Sequence, residues 1–400
     1  MSELQRAWAR QKVALPGDRF GEVDEEQEVD YVPELPEHAE HPDDDSSSAS
    51  SVSSTGTIIP SPTQRLFARP QGVSRGKNLE QIPWTTYFER ELYLSPETSP
   101  GLTYHAYLTS PTEKGPLFVM HHGAGSSGLS FALIGSEIRK RLPNAGILSI
   151  DCRGHGLTTT AGGEALDLRL DTLSSDLHAT IELAKAKMGW GQLPPVMLVG
   201  HSLGGAVVTD LAKTGLLGTA LLGYAVLDVV EGSAMDALQS MQTYLSTRPA
   251  GFSSLQTGIE WHVRTRTLRN STSARTSVPG LLVRDEHADT SRPWRWRTNL
   301  AATQPFWEDW FVGLSKKFLE ARGGKMLLLA GTDRLDTELT IGQMQGKYAL
   351  QVFPEAGHFI HEDLPERTAV TLVDFYRRND RSTLVLPPKV SDLLAQGKRV

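Results

Sequence analysis

The segment from Val196 to Val208 constrains the fold more than any other part of the chain. It begins with an aliphatic run of the length of a buried strand and continues, from Leu203 onward, in a helical pattern. Between the two stands Gly200-His201-Ser202-Leu203-Gly204, whose glycines let the backbone turn tightly. A serine on such a strand-to-helix turn is exposed at the end of a sheet, where a base can reach it. The segment therefore predicts an α/β fold with Ser202 as a nucleophile.

Short aliphatic runs alternate with longer amphipathic stretches along the following part of the chain, which is typical of a mostly parallel sheet. Strands are predicted at 88–94, 104–109, 117–121, 146–151, 196–199, 223–228, 325–330 and 348–353. Helices are predicted at 130–142, 172–188, 203–213 and 366–378. Eight strands, flanking helices and the Ser202 turn together predict the α/β-hydrolase fold. Residues 229–324 are too many for a plain crossover and predict a helical cap inserted after the sixth strand.

The beginning of the chain has a different composition. Residues 18–45 carry thirteen Asp or Glu against Arg19 alone, and residues 46–56 are almost entirely small and polar. A segment with so little to bury cannot offset its ordering entropy. We therefore predict a disordered acidic and serine-rich tail over residues 1–78, a hydrolase domain over 79–385 and a C-terminal tail over 386–400.

Charge and cysteine content narrow the classes of protein. The net charge of −7 argues against nucleic-acid binding. The first residues lack the apolar segment of a signal peptide, and no run approaches the roughly 18 apolar residues of a membrane span. The single cysteine, Cys152, cannot form an internal disulfide, which favours a reducing compartment. We expect a monomer in the cytoplasm or nucleus that is not secreted.

Acyl transfer at Ser202 needs two N–H donors aimed at the developing oxyanion, and removing one typically costs about 2.7–4 kcal/mol. Leu203, directly after the nucleophile, offers one backbone N–H. The loop at 121–128, after the third strand, should supply the second, and Ala124 is the candidate. The glycines of this loop could also cradle a phosphate, but the chain contains no P-loop and no dinucleotide fingerprint. No cofactor is therefore expected.

The base should lie late in the chain, because the order in this fold is Ser, acid, His. His358 follows a glycine just after the last predicted strand, whereas His361 begins a predicted helix, so we predict His358 as the base. A metal site at His358 and His361 is disfavoured, since no third ligand cluster accompanies them. The other histidines near the predicted loops are interpreted as turn or packing residues: His121, His122, His155 and His201.

Two aspartates could orient the histidine. Asp333 follows the seventh strand, the commoner location of the acid in this fold, whereas Asp228 follows the sixth. Arg334 beside Asp333 suggests an ion pair that would give that carboxylate a structural role. The spacing of residues along the chain does not decide which of the two aspartates is the acid.

From Trp84 onward the chain resembles the protein phosphatase methylesterases. The resemblance is carried by four strings: Leu227-Asp228-Val229-Val230-Glu231-Gly232-Ser233-Ala234-Met235-Asp236-Ala237-Leu238, Arg248-Pro249 with Ile259-Glu260-Trp261, Trp307-Glu308-Asp309-Trp310-Phe311, and Asp333-Arg334-Leu335-Asp336 through Lys347. It implies that Asp228 is the acid. It also implies a serine carboxylesterase that removes the methyl ester from the C-terminal leucine of the type 2A serine/threonine phosphatase catalytic subunit.

The small leaving group places specificity on the acyl side of the ester. The cap, with Met235, Met241 and Trp261, is therefore a candidate surface for the phosphatase. A stripe of methionine and aromatic side chains belongs more often to a hydrophobic core than to an interface. Two other functions stay open, a general small-molecule esterase or lipase with the same residues, and a non-catalytic phosphatase-binding regulator.

Overall fold

A computed structural model describes residues 79–99, 101–160, 166–286, 291–331 and 335–380. The predicted tails at 1–78 and 386–400 lie outside these ranges, so both remain predictions.

Eight of the described strands form one sheet, and two more form a separate pair. The strands are β1 (Arg90–Leu94), β2 (Tyr104–Thr109), β3 (Leu117–His121), β4 (Gly146–Asp151), β5 (Val196–His201), β6 (Leu221–Leu227), β7 (Leu282–Arg284), β8 (Trp294–Trp296), β9 (Gly324–Leu329) and β10 (Ala349–Val352). The large sheet has the order β1-β2-β4-β3-β5-β6-β9-β10. Its first two pairings are antiparallel and all others are parallel. The eight predicted strands are confirmed, with ends shifted by at most two residues.

Helices connect and flank these strands. They are α1 (Ala132–Arg141), α2 (Leu170–Lys187), α3 (Leu203–Thr214), α4 (Glu231–Thr247), α5 (Leu255–Arg264), α6 (Ser271–Leu281), α7 (Trp307–Phe311), α8 (Leu314–Glu320), α9 (Thr337–Met344), α10 (Ile360–Asp363) and α11 (Pro365–Asn379). Short 3-10 helices lie at Trp84–Thr86, Gly128–Phe131, Gly218–Ala220 and Leu300–Phe306. In the ranges described, no helix has both the length and the apolar character needed to cross a membrane.

The central strands are buried on both faces, which explains their unbroken apolar sequences. In β3, Leu117 and Val119 point to one core cluster, whereas Phe118 and Met120 point to the other. Helices α2 and α3 cover the first face, and α1 and α11 cover the second. This arrangement places the carboxyl ends of the parallel strands at one edge of the sheet, where the loops that follow β3, β5, β6 and β10 meet.

The predicted insertion after the sixth strand is confirmed, and it lies between β6 and β9. It contains α4 to α6 and the antiparallel pair β7–β8, which the sequence analysis did not predict. Part of it has its own apolar cluster, made of Phe252, Ile259, Leu268, Ala274, Val278 and Leu282. Helices α7 and α8, at its end, pack instead into the core beside the sheet through residues such as Trp310 and Phe318. The insertion is therefore a cap followed by a conventional crossover helix.

Candidate active site

Ser202 stands on the turn between β5 and α3. Its backbone has φ 52° and ψ −119°. A residue with a Cβ atom rarely adopts this conformation, which costs roughly 1–3 kcal/mol. The hydrogen bond from Ser202 N–H to the Leu227 carbonyl, at 3.0 Å, ties the turn to the end of β6. The half-buried serine is thus held at the carboxyl edge of the sheet.

The glycines on either side are required by close approach of the backbone. A Cβ atom on Gly200 would lie 2.1 Å from the Gly204 carbonyl oxygen. A Cβ atom on Gly204 would lie 2.0 Å from the His121 carbonyl oxygen at the end of β3. The spacing of the Gly-x-Ser-x-Gly string therefore lets α3 begin directly against the neighbouring strand.

His358 and Asp228 form a pair. Asp228 follows β6, is only 2% exposed, and has its Oδ2 atom 2.8 Å from Nδ1 of His358. Its Oδ1 atom accepts a hydrogen bond of 2.9 Å from the N–H of Ala330, which follows β9. Because a carboxylate can only accept, Nδ1 of His358 carries the proton and Nε2 is left as the basic nitrogen. The alternative acid, Asp333, lies outside the described residues.

Ser202 and His358 lie at the same edge of the sheet, but no hydrogen bond joins Ser202 Oγ to His358 among the residues described. They are connected through His201, which precedes the serine and whose Nε2 atom donates to the His358 carbonyl at 2.9 Å. The rings of His201 and His358 have centroids 4.6 Å apart. Catalytic hydrogen bonds commonly tighten only when substrate is bound.

His201 has a role that sequence reasoning missed. Burial lowers its pKa to about 3, so the ring is neutral near pH 7. Since a carbonyl oxygen only accepts, the proton of this neutral ring is on Nε2, where it orients the His358 loop. His201 and His358 are 157 positions apart, so sequence proximity offered no signal for their contact.

The predicted oxyanion donors border the serine. Neither Leu203 N–H nor Ala124 N–H donates a hydrogen bond to another described residue. Gly123, beside Ala124, approaches so closely that a Cβ atom there would lie 3.0 Å from Ser202 Cβ. Among the described residues the two N–H groups thus remain the candidate donors to an anionic oxygen.

Two buried histidines that the sequence indicates as turn or packing residues hold this loop. Gly125 N–H donates to Nε2 of His155 at 2.9 Å. Cys152 N–H donates to Nε2 of His122 at 3.0 Å. Burial lowers the pKa of both rings, which keeps them neutral and able to accept these hydrogen bonds.

The described residues include no group of three or more His, Cys, Asp or Glu positioned to hold a metal ion. His361, the other histidine weighed as a ligand, is fully buried and stacks on Phe131 with ring centroids 4.4 Å apart. Its surroundings are those of a core side chain.

Comparison with known proteins identifies the class. Residues 118–371 match the family model described as Alpha/beta hydrolase family. The crystal structure of E-2-(acetamidomethylene)succinate hydrolase superposes with a TM-score of 0.57 at 16% identity, covering 72% of this chain and 99% of that one. The protein is thus an α/β hydrolase, and its serine turn and Asp–His pair occupy the edge of the sheet used for catalysis in this fold.

Three relatives, each named protein phosphatase methylesterase 1, give the family. The one from Gibberella zeae is 75% identical over 400 residues, the whole of both chains. The one from Neurospora crassa is 64% identical over 458 aligned positions, again covering both chains completely. The Schizosaccharomyces pombe protein is 45% identical over 309 residues, 77% of this chain and 87% of its own. The chain belongs to the protein phosphatase methylesterase family and is a carboxylic ester hydrolase.

Proposed function

We propose that the enzyme hydrolyses the methyl ester on the C-terminal leucine of the type 2A protein phosphatase catalytic subunit and releases methanol. The assignment of this substrate rests on the 75% identity, over the full length, to a relative named protein phosphatase methylesterase 1. The pairing of Asp228 with His358 beside the Ser202 turn supports an acyl-transfer mechanism.

In the proposed mechanism Nε2 of His358 takes the proton of Ser202 Oγ as that oxygen attacks the ester carbonyl. Asp228 holds the imidazole in the required tautomer and stabilises its charged form. The N–H groups of Leu203 and Ala124 bind the oxyanion of the tetrahedral intermediate. When the intermediate collapses, the C–O bond to the methoxy group breaks, and His358 protonates the departing methoxide so that methanol is released.

The second half of the reaction repeats these roles with water. His358 removes one proton from a water molecule that attacks the acyl-enzyme. As this second intermediate collapses, the bond between the acyl carbon and Ser202 Oγ breaks and His358 returns the proton to Ser202, and the released leucine carboxyl group loses its remaining proton to water. The groups named supply every proton transfer, and the proposal invokes no metal ion or organic cofactor.

We propose that the cap receives the phosphatase, with α4 as the main contact. This helix has 17 residues, of which only Ala234 is buried, at 9% exposure. Met235 and Met241 are half-buried against the core, so part of each side chain stays accessible. Trp261 lies 6.0 Å from the ring centroids of both Phe252 and Trp296, which supports a packing role for this tryptophan instead.

The same proposal places the enzyme in the cytoplasm or nucleus, as a monomer that does not bind nucleic acid. The single cysteine, Cys152, is a buried free thiol and supports only the reducing compartment, whereas the net charge of −7 is the basis for excluding nucleic acid.

The test is methanol release from methylated phosphatase compared with free leucine methyl ester, using wild type and Ser202→Ala. The wild-type enzyme should strongly prefer the intact protein, whereas Ser202→Ala should lose about 10⁶-fold in kcat and still bind the phosphatase. Full demethylation by Ser202→Ala would refute the mechanism. Equal rates on both substrates would favour a general esterase, and binding without turnover by wild type would favour a non-catalytic regulator.

A further inference from the structure

The loop that carries His358 is followed directly by α10, whose last two residues are buried carboxylic acids. Glu362 is 2% exposed and Asp363 is 8% exposed. Neither belongs to the Ser202, Asp228 and His358 group. Buried acids of this kind need hydrogen-bond donors, so the origin of those donors shows what the acids connect.

Asp363 receives its side-chain hydrogen bonds from two different parts of the molecule. Its Oδ2 atom accepts the N–H of Gly357, the residue directly before His358, at 2.7 Å. Its Oδ1 atom accepts the N–H of Arg269, in the cap segment between α5 and α6, at 2.8 Å. One carboxylate therefore joins the histidine loop to the cap.

Arg269 adds a second connection between the same two parts. Its guanidinium donates from Nη1 to the carbonyl of Glu355, in the loop before His358. Its Nε atom lies 3.7 Å from Asp363 Oδ2, within ion-pair distance. The guanidinium thus contacts the loop before His358 at Glu355 directly and at Gly357 through Asp363.

Glu362 faces a different partner. Its Oε2 atom accepts the hydroxyl of Ser277 on α6 at 2.5 Å, and its backbone carbonyl accepts the hydroxyl of Ser273 at 2.7 Å. Burial raises the pKa of Glu362 well above its usual value, which favours the neutral acid. Glu362 therefore attaches α10 to the cap without a side-chain bond to the histidine loop.

We infer that Asp363 is a positioning residue, which fixes the loop of His358 relative to the cap and so sets the distance from His358 to Ser202. The inference rests on the proposed role of His358 as the base. A carboxylate can accept both N–H groups, one on each oxygen, whereas an amide offers only one accepting oxygen. The cap would thereby influence the base directly, since a shift of Arg269 moves Asp363 and Gly357 together.

The decisive variant is Asp363→Asn, which keeps the size of the side chain and removes one acceptor. With a small aryl ester as substrate, kcat should fall by about 10- to 100-fold with KM within about twofold, because a misplaced base slows chemistry more than binding. The rate at which a fluorophosphonate labels Ser202 should fall by a similar factor. Both rates are expressed per folded molecule, measured by near-ultraviolet circular dichroism.

The matched control is Glu362→Gln, which replaces the neighbouring buried acid on the same helix and can still accept from Ser277. It should keep kcat within about threefold of wild type. The inference is overturned if Asp363→Asn keeps wild-type kcat while only its melting temperature drops, or if both variants lose kcat equally.

Arg269→Ala is the second variant, and it decides the question if Asp363→Asn does not fold. It keeps the backbone N–H but removes the guanidinium contact with Glu355, so kcat should fall several-fold at unchanged KM; an unchanged kcat overturns the inference. The aryl ester assay needs no phosphatase. Failure of the wild-type enzyme to demethylate the phosphatase would therefore refute the proposed function separately.

Discussion

Asp228→Asn tests the proposed acid through the proton position it imposes. In the wild-type structure Oδ2 faces Nδ1 of His358 at 2.8 Å and Oδ1 accepts Ala330 N–H at 2.9 Å. The asparagine has one oxygen and one NH₂ group to place at these two positions. If its oxygen keeps the bond to Ala330, the NH₂ group donates to Nδ1 and the histidine proton moves to Nε2. That nitrogen can then no longer accept the proton of Ser202.

The opposite orientation of the amide keeps the tautomer but sets NH₂ against the N–H of Ala330, about 2.9 Å away. Leaving a buried donor unpaired costs about 1–3 kcal/mol, and at 2% exposure water cannot relieve it. The first orientation should therefore dominate. An Asp→Asn change that imposes the wrong tautomer in a serine protease lowers kcat by about 10⁴-fold, equivalent to about 5 kcal/mol in the activation barrier. We expect a loss of about 10³- to 10⁴-fold here.

The assay is steady-state hydrolysis of an aryl ester and methanol release from the methylated phosphatase, with thermal melting as the check on folding. KM should stay within about twofold, because Asp228 has no direct contact with the proposed substrate. Asp333→Asn is the matched variant, since it is the other aspartate that the sequence left open. If Asp228→Asn retained kcat within tenfold while Asp333→Asn abolished turnover, the assignment of the acid would be wrong.

Two further predictions concern stability. Gly204→Ala should lower the free energy of unfolding by at least about 3 kcal/mol in urea denaturation, because its Cβ atom would lie 2.0 Å from a strand carbonyl. Gly191→Ala, with no atom within 4 Å of the new Cβ, should change it by less than about 0.5 kcal/mol, and equal losses would contradict the packing argument. Burial lowers the pKa of His262 to about 4 from 6.5, so between these pH values the unfolded chain binds more protons and stability falls as pH decreases. Between pH 7 and pH 5 this histidine should account for about 2 kcal/mol of the decrease in the free energy of unfolding. His262→Gln should therefore make the free energies of unfolding at the two pH values differ by about 2 kcal/mol less than in wild type. If the variant and the wild type show the same decrease, His262 is not neutral in the folded state.

The fold was predictable from local pattern. The strand β3 is buried on both faces and therefore reads as a continuous apolar run, and short runs of this kind alternating with helices specify a mostly parallel sheet. The turn at Ser202 was equally local, because the backbone at Gly200 passes against the backbone at Gly204, four positions later, and leaves no room for a Cβ atom on Gly200. The hairpin pair β7–β8 was not predicted, since strands of three residues carry too short a pattern to detect.

The partners of Ser202 depended on distance in space. Spacing leaves Asp228 and Asp333 open as the acid, and the contact of Asp228 with His358, across 130 positions, agrees with the acid that the family resemblance implies. The hydrogen bond from His201 to the His358 carbonyl and the link from Asp363 to Arg269 likewise join residues far apart in the chain.

The sequence by itself therefore determined the α/β-hydrolase class, the serine turn and the late histidine, because strand length, residue alternation and glycine spacing are short-range properties. The fold is what brings Asp228 to His358 and places the buried side chains that hold the histidine loop. Those contacts depend on the order of strands in the sheet and on where the inserted cap packs, and neither is encoded in the spacing of residues along the chain.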